Sequence, residues 1–215
     1  MKSLLKLSSV LAIALCLVTA SNAAPITPVG TSFGALPGAT FNGTDIPNGA
    51  VQIWTNGTIT LGLTATQRYE NPTVTNNGAG TFYATTGNDA ANGKPTYGTW
   101  NFDFYVSGLA EGQFAKLVLY YGGDTSLNSF TLPNYQESWN LGMGFLTGVV
   151  PFDPSVAGSY GFGLEAYSLD GNEAFRIGQS SILVNVSSVP DSGSTLLMLG
   201  GSLAMGLFLR RRLSR

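Results

Sequence analysis

The chain has 215 residues, a formal net charge of −2, no histidine and a single cysteine, Cys16. Without histidine, the sequence excludes a Ser-His-Asp triad, a Cys-His dyad and an imidazole-based zinc site. One cysteine cannot form a disulfide within the chain, and no Gly-rich loop precedes a Lys-Ser or Lys-Thr pair that would bind nucleotide phosphates.

The N-terminus has the pattern of a secretion signal. Lys2 and Lys6 precede a mostly apolar run from Leu7 to Ala20, and small residues at Ser21 and Ala23 suit signal peptidase. We predict a signal peptide over residues 1–23 with cleavage after Ala23; an uncleaved N-terminal anchor is the alternative. Leu15 is not the small residue that a lipoprotein cleavage site needs before cysteine, so Cys16 is interpreted as part of the apolar run.

The predicted exported body, residues 24–188, is acidic. It contains four basic and eleven acidic residues, which give a formal charge of −7, and it has no cysteine. An acidic surface without a basic stripe argues against nucleic acid as a partner. Such a surface is equally unsuited to an anionic membrane.

The clearest local pattern in the body predicts a β-hairpin. The segments 51–55 and 58–66 flank Asn56-Gly57, a pair that suits a two-residue type I′ turn because both positions tolerate positive φ. In the second arm, aliphatic residues from Ile59 to Ala65 alternate with Thr and Gly. This period of two predicts one buried face and a threonine-lined outer face.

Further short strands are predicted along the rest of the body. The expected strand ranges are 81–86, 97–107, 114–121, 135–145, 160–169, 174–177 and 181–186, separated by turn-rich segments, and the lead-in is expected to hold one short extended piece around residues 39–41. Trp100, Phe102, Phe104 and Val106 alternate with polar residues, so this strand is expected to carry much of an aromatic core. No window has a helical period. The pattern predicts an all-β body, an antiparallel β-sandwich of jelly-roll or immunoglobulin-like form.

Carboxylates on predicted strands are the candidates for an enzymatic site. Asp103, Glu137 and Glu165 would serve a glycoside hydrolase if two of them faced one groove. No spacing selects a pair, and outward-facing polar positions explain all three. The expectation is therefore a body without catalytic residues and without a cofactor.

Two turns offer oxygen ligands of the kind that calcium prefers. Asp170-Gly171-Asn172-Glu173 is a predicted hairpin turn, and Gly122-Gly123-Asp124 is a second acidic turn. Neither has the alternating acidic ligands of a calcium loop, and an Asx turn explains Asp170. Asp170 and Asn172 stay weak calcium candidates, and no metal site is predicted.

Aromatic residues could form an exposed platform for sugar rings. The alternative is that they belong to the core or cover the sheets. The candidates are Trp54, Tyr69, Tyr83, Tyr97, Tyr105, Tyr121 and Trp139.

The last residues combine a short motif, an apolar run and a basic cluster. The motif Val189-Pro190-Asp191-Ser192-Gly193 precedes an uncharged run over residues 194–209, and Arg210, Arg211 and Arg212 follow. As a helix the run would be about 24 Å long, which is short for a hydrocarbon core of about 30 Å but compatible with spanning. The arginines would stay on the cytoplasmic side as a membrane stop. A core helix is disfavoured because the run has no polar face, whereas a plain membrane anchor stays possible on these grounds.

This combination resembles the VPDSG-CTERM sorting signal, a variant of the PEP-CTERM type found in bacterial surface proteins. The resemblance covers residues 189–215 and does not extend to the body. It implies recognition by an exosortase, a membrane-embedded cysteine transpeptidase-like enzyme, and removal of the helix. It further implies delivery of the body to the cell surface or an exopolysaccharide matrix. The two terminal signals and a body without catalytic residues together predict a structural or adhesive role, and a carbohydrate-binding module is the alternative.

Overall fold

A computed structural model describes residues 26–41, 43, 46–69, 73–121, 128–146 and 148–188. The predicted signal peptide and sorting segment lie outside these residues. In the described part the body is all-β, with one short 3-10 helix, Ala90–Asn92, and no α-helix. Correspondingly, none of the described segments supplies an apolar helix long enough to traverse a bilayer.

The described residues form thirteen strands. They are β1 (Ser32–Gly34), β2 (Val51–Thr55), β3 (Thr60–Gln67), β4 (Thr75–Asn76), β5 (Thr81–Thr85), β6 (Asn88–Asp89), β7 (Lys94–Gly98), β8 (Trp100–Ser107), β9 (Gln113–Tyr121), β10 (Asn128–Leu132), β11 (Tyr135–Trp139), β12 (Gly158–Asp170) and β13 (Glu173–Ser187).

These strands make two large sheets and a small ribbon. One sheet has the order β1-β2-β3-β8-β11, the other β10-β9-β12-β13-β5-β4, and β6-β7 form the ribbon. Both sheets contribute side chains to one core, an arrangement compatible with a sandwich. The expectation of antiparallel pairing throughout is wrong at one place, because β5 pairs with β13 in parallel.

The main core lies between the inner faces of the two sheets. Ile59, Leu61, Leu63 and Ala65 are all buried there, which confirms the alternation predicted for this arm. The alternation from Trp100 to Val106 is confirmed in the same way. Apolar side chains of β9, β12 and β13 supply the other half of the core.

The β2–β3 hairpin exists, but its turn differs from the prediction. Thr55 pairs with Thr60, so the connection has the four residues 56–59 and is not a two-residue turn. The Asn56 Oδ1 accepts hydrogen bonds from the backbone N–H groups of Thr58 at 3.1 Å and Ile59 at 2.9 Å. The side chain thus replaces backbone pairing and lengthens the loop.

We expect Asn56→Ala to lower the free energy of unfolding by about 1 kcal/mol, because two N–H groups lose their acceptor. Urea denaturation measures the change. Thr58→Ala is the matched control, since the exposed Thr58 hydroxyl makes no hydrogen bond with any described residue. Equal effects of the two substitutions would contradict a role for the Asn56 side chain.

The outer face of the five-stranded sheet is not open as predicted. The described residues of 35–50, here called the cover segment, pack across part of it, and Thr64 and Thr66 on this face are both buried. Ala39, Phe41, Val51 and Ile53 form a second small core, with Leu36, Ile46 and Tyr105 packed against it. The Leu36 side chain comes so close to Gly62 that a Cβ there would meet it at 2.6 Å.

Polar contacts fix the cover segment in place. The Gln136 Oε1 of β11 accepts hydrogen bonds from the backbone N–H groups of Thr40 at 2.7 Å and Phe41 at 2.9 Å. The Thr64 hydroxyl donates to the Ala50 carbonyl at 2.7 Å. The short extended piece predicted around residues 39–41 is not a strand: the first strand is β1, and residues 39–41 belong to this covering loop.

Three other strand predictions are corrected. The strand predicted to run from residue 135 to residue 145 ends at Trp139. There the buried Asn140 side chain donates to the Trp100 carbonyl at 2.7 Å and accepts from the Gly98 N–H at 3.0 Å, so it replaces strand pairing. The two predicted closing strands are one strand, β13, with a register shift opposite Ala166 and Tyr167. Strand β10 lies in a segment predicted to be turns.

Candidate functional site

A groove opens at the rim where the two sheets meet. It lies between the end of β3, the edge strand β4 with its neighbour β5, and the β6–β7 ribbon, and it has a volume of about 500 Å³. We call it the Arg68 groove. Its polar lining, besides Arg68 and Asp89, comprises Gln67, Thr75, Thr85, Asn88, Asn92 and Thr99, and its aromatic lining comprises Tyr69, Tyr83 and Trp100.

Arg68 organises the groove from a mostly buried position. Its Nε donates to the Asp89 Oδ2 at 3.0 Å, and its Nη2 donates to the Tyr69 hydroxyl at 2.9 Å. The guanidinium also lies over the rings of Tyr69 and Tyr97, 4.5 and 4.6 Å from their centroids. A planar guanidinium can stack and donate several hydrogen bonds at once, so this one side chain fixes both an aromatic ring and a carboxylate.

Tyr69 has an unusual backbone conformation. Its φ is +65°, and its side chain is 60% exposed. A bulky residue in this region carries conformational strain, which persists only where the surroundings enforce it. Here the contacts with Arg68 hold the exposed ring in one orientation.

The Asp89 carboxylate balances the positive charge of Arg68. Partial desolvation raises the pKa of this carboxyl, but hydrogen bonds from Asn92 and Arg68 outweigh it, so the pKa lies below its ordinary value. Asp89 is therefore ionised at neutral pH and compensates the charge of Arg68. The groove presents amides, hydroxyls and phenol rings with little net charge.

The aromatic residues singled out from the sequence divide into three groups. Tyr69 and the 48% exposed Tyr83 line the groove. Tyr97 lies against Arg68. The others pack against one of the two cores, as the alternative interpretation expects; these are Trp54, Tyr105, Tyr121 and Trp139.

The three candidate carboxylates lie on three different faces. Asp103 is on the covered outer face of the five-stranded sheet. Glu137 pairs with the core residue Phe104 and so belongs to the opposite face of that sheet. Glu165 is on the outer face of the other sheet, where Arg176 and Tyr167 donate to it at 2.8 and 2.6 Å.

Asp103 is fully buried on the outer face of the five-stranded sheet, where it pairs with Thr64, and neither carboxylate oxygen makes a hydrogen bond with a described residue. Burial raises the pKa of Asp103 to about 7, while the neighbouring hydroxyls of Ser138 and Thr66 act in the opposite direction and Glu137 adds repulsion. The sequence placed Asp103 among outward-facing polar residues, and this expectation of exposure is wrong.

The calcium candidates Asp170 and Asn172 lie at the exposed end of the β12–β13 hairpin. Asp170 pairs with Glu173, so Gly171-Asn172 is the predicted hairpin turn, with Gly171 at φ +60°. Within the described ranges there is no group of three or more acidic, histidine or cysteine side chains that could hold a metal ion. Asp124 lies outside the described residues.

Sequence reasoning did not single out Arg68 or Asp89. The two are 21 residues apart, and only the meeting of β3 with the β6–β7 ribbon brings them together. The one available signal was that Arg68 is among four basic residues of the body, next to Tyr69. The predicted cleavage site at Ala23, the sorting motif 189–193 and the arginines 210–212 lie outside the described residues.

One family model, described as VPDSG-CTERM motif, matches residues 188–213. No curated protein matches the chain, and no solved structure does. The match confirms the resemblance of the tail and does not extend to the β-body. The chain therefore carries a C-terminal VPDSG-CTERM sorting motif, which implies export and a surface or extracellular location.

Proposed function

We propose that this chain is a secreted, non-enzymatic surface or exopolysaccharide-matrix protein with a structural or adhesive role. An exosortase-type membrane enzyme removes its C-terminal helix after signal peptidase has removed residues 1–23. The observation that carries the proposal is the sorting-motif match at residues 188–213. In this scheme the body is a β-sandwich, anchored in the inner membrane until processing and then released to the surface or matrix.

The body supports a non-enzymatic role by the placement of its acids. A glycoside hydrolase needs two carboxyl groups about 5–10 Å apart across a groove. Asp103, Glu137 and Glu165 lie on separate faces, and the described lining of the Arg68 groove contains a single carboxylate, Asp89. That carboxylate is engaged with Arg68 and Asn92.

We expect the mature protein to lack both processing segments. Intact mass spectrometry of protein recovered from the producing cells should give a chain that begins after Ala23 and ends near the motif. Cell fractionation should place this chain in the surface or matrix fraction. Pro190→Ala should retain the tail and leave the protein in the membrane fraction, because the motif is altered.

Ser187→Ala, at the end of β13, is the control and should be processed normally. A native product that sits in the cytosol with Arg215 still attached would overturn the proposal.

The second candidate function is that of a carbohydrate-binding module. The specific observation in its favour is that Tyr69 and Tyr83 are exposed and line one groove. Apolar stacking of sugar rings on such tyrosines would give the body a ligand within an extracellular matrix. Binding of the protein to isolated polysaccharide separates this function from a purely structural role.

A further inference from the structure

We infer that the Arg68 groove binds an uncharged saccharide chain, with Tyr69 and Tyr83 as its stacking surfaces. The inference rests on the carbohydrate-binding candidate proposed above and adds to it a site and a ligand charge. The ligand class is a polymer of neutral sugars, as distinct from uronic acid-containing or sulfated polymers.

The first support is the rigidity of an exposed aromatic ring. Tyr69 is 60% exposed, yet Arg68 holds it both through its hydroxyl and through its ring. A side chain fixed before binding loses little conformational entropy when a ligand stacks on it. The strained φ of Tyr69 indicates that the fold maintains this exposed position at some cost in stability.

The second support is the position of Tyr83. It alternates along β5 with the buried Phe82 and Ala84, so the sheet fixes its direction outwards. Tyr83 lies on β5 of the six-stranded sheet, Tyr69 lies in the turn that follows β3 of the five-stranded sheet, and both line the same groove. Two phenol rings on opposite elements give a ligand apolar faces to contact, while both hydroxyls remain able to form hydrogen bonds.

The third support is the chemistry of the remaining lining. Asn88, Asn92 and Gln67 carry amides, and Thr75, Thr85 and Thr99 carry hydroxyls. Amides and hydroxyls both donate and accept hydrogen bonds, as sugar hydroxyl groups do. Ligand sites of this size, with apolar faces and a few placed polar groups, are typical for small polar ligands.

The charge of the groove decides between neutral and acidic polymers. Among the described lining residues, Arg68 and Asp89 are the charged pair, and they are bonded to each other at 3.0 Å. Arg68 therefore has no uncompensated charge for a carboxylate or sulfate ligand. The body around the groove has a formal charge of −7, which repels polyanions at long range.

Affinity gel electrophoresis of the full chain tests the inference. The gels contain galactomannan or mixed-linkage β-glucan as neutral polymers and alginate as the acidic polymer. The detergent that keeps the full chain in solution is a polyoxyethylene ether, because detergents with sugar head groups would compete with the polymers for the groove. We expect retardation by at least one neutral polymer, little dependence of that retardation on salt, and none by alginate.

Variants assign the binding to the groove. Tyr69→Ala and Tyr83→Ala should each weaken the neutral-polymer affinity about tenfold, because each removes a stacking ring. Tyr69→Phe should keep most of the affinity. Tyr135→Ala is the matched control, since Tyr135 is 41% exposed and lies on β11, outside the groove.

The possible results test the charge of the ligand, the location of the site and the carbohydrate-binding function separately. Retardation by alginate alone overturns the neutral-ligand inference and leaves a carbohydrate-binding function standing. Unchanged affinity in Tyr69→Ala and Tyr83→Ala overturns the site. No retardation by any of the polymers overturns both the inference and the carbohydrate-binding candidate, whereas the sorting proposal is tested separately by mass and fractionation.

Discussion

Phe102→Ala is expected to lower the free energy of unfolding by about 3–5 kcal/mol. Phe102 is fully buried in the middle of β8. Its ring stacks on Phe162 of the opposite sheet, with 4.2 Å between ring centroids. It also makes a T-shaped contact with Trp139, with 6.1 Å between centroids. Truncation removes apolar burial and leaves a cavity between two sheets whose backbones are fixed by pairing, so the site cannot close around the smaller side chain.

Chemical denaturation and thermal melting both measure this loss. For a body of this length the melting temperature should fall on the order of 10 °C. Phe175→Ala is the matched control, because Phe175 is 51% exposed near the β12–β13 turn and should cost less than about 1 kcal/mol. Similar losses from the two variants would contradict the assignment of Phe102 to the inner face.

The second large effect is a fall in stability as pH rises, caused by Asp103. Its pKa is about 7 in the folded protein, against an ordinary value of 3.8 for an aspartic acid side chain. Between these two values the folded state keeps the proton that the unfolded state has released. Unfolding is therefore favoured progressively as pH rises through this window, and the contribution levels off above the folded pKa.

The size of the effect is on the order of 4 kcal/mol, from a shift of about three pH units. Asp103→Asn keeps the shape and removes the charge, so it should flatten this part of the pH profile and raise stability at pH 8. Asp89, with its lowered pKa, acts with the opposite sign and remains in both proteins. The comparison with the variant therefore isolates Asp103.

Urea denaturation at a series of pH values from 4 to 8, on the parent chain and on the variant, provides the measurement. Asp170→Asn, at the exposed end of the β12–β13 hairpin, is the control and should keep the parent slope. If the free energy of unfolding changes with pH in parallel for the parent and Asp103→Asn, the Asp103 carboxyl is not buried in the folded protein.

Much of the body could be predicted from local pattern. The alternation from Ile59 to Ala65 and from Trp100 to Val106 identified two core-lining strands, because a strand buries every second side chain whatever its partner is. Asp170-Gly171-Asn172 marked a true hairpin because its two strands are adjacent in the chain.

Predictions failed where the partner of a segment is distant in sequence. The outer face of β3 and β8 has the polar alternation of an exposed surface. Residues of this face, including Thr64 and Asp103, are nevertheless buried, and no pattern in the sequence around them indicates that burial.

The sequence by itself determined the destination of this protein and the class of its fold. The sorting motif is a linear string of residues, and the period of two arises from strand geometry alone, so both can be recognised without a structure. The tertiary structure alone decided the burial of Asp103, the parallel pairing of β5 with β13, and the contacts of Arg68 with Asp89 and Tyr97. Each of these depends on which surfaces face each other after the sheets pack, a property of long-range contacts that no short window of residues contains.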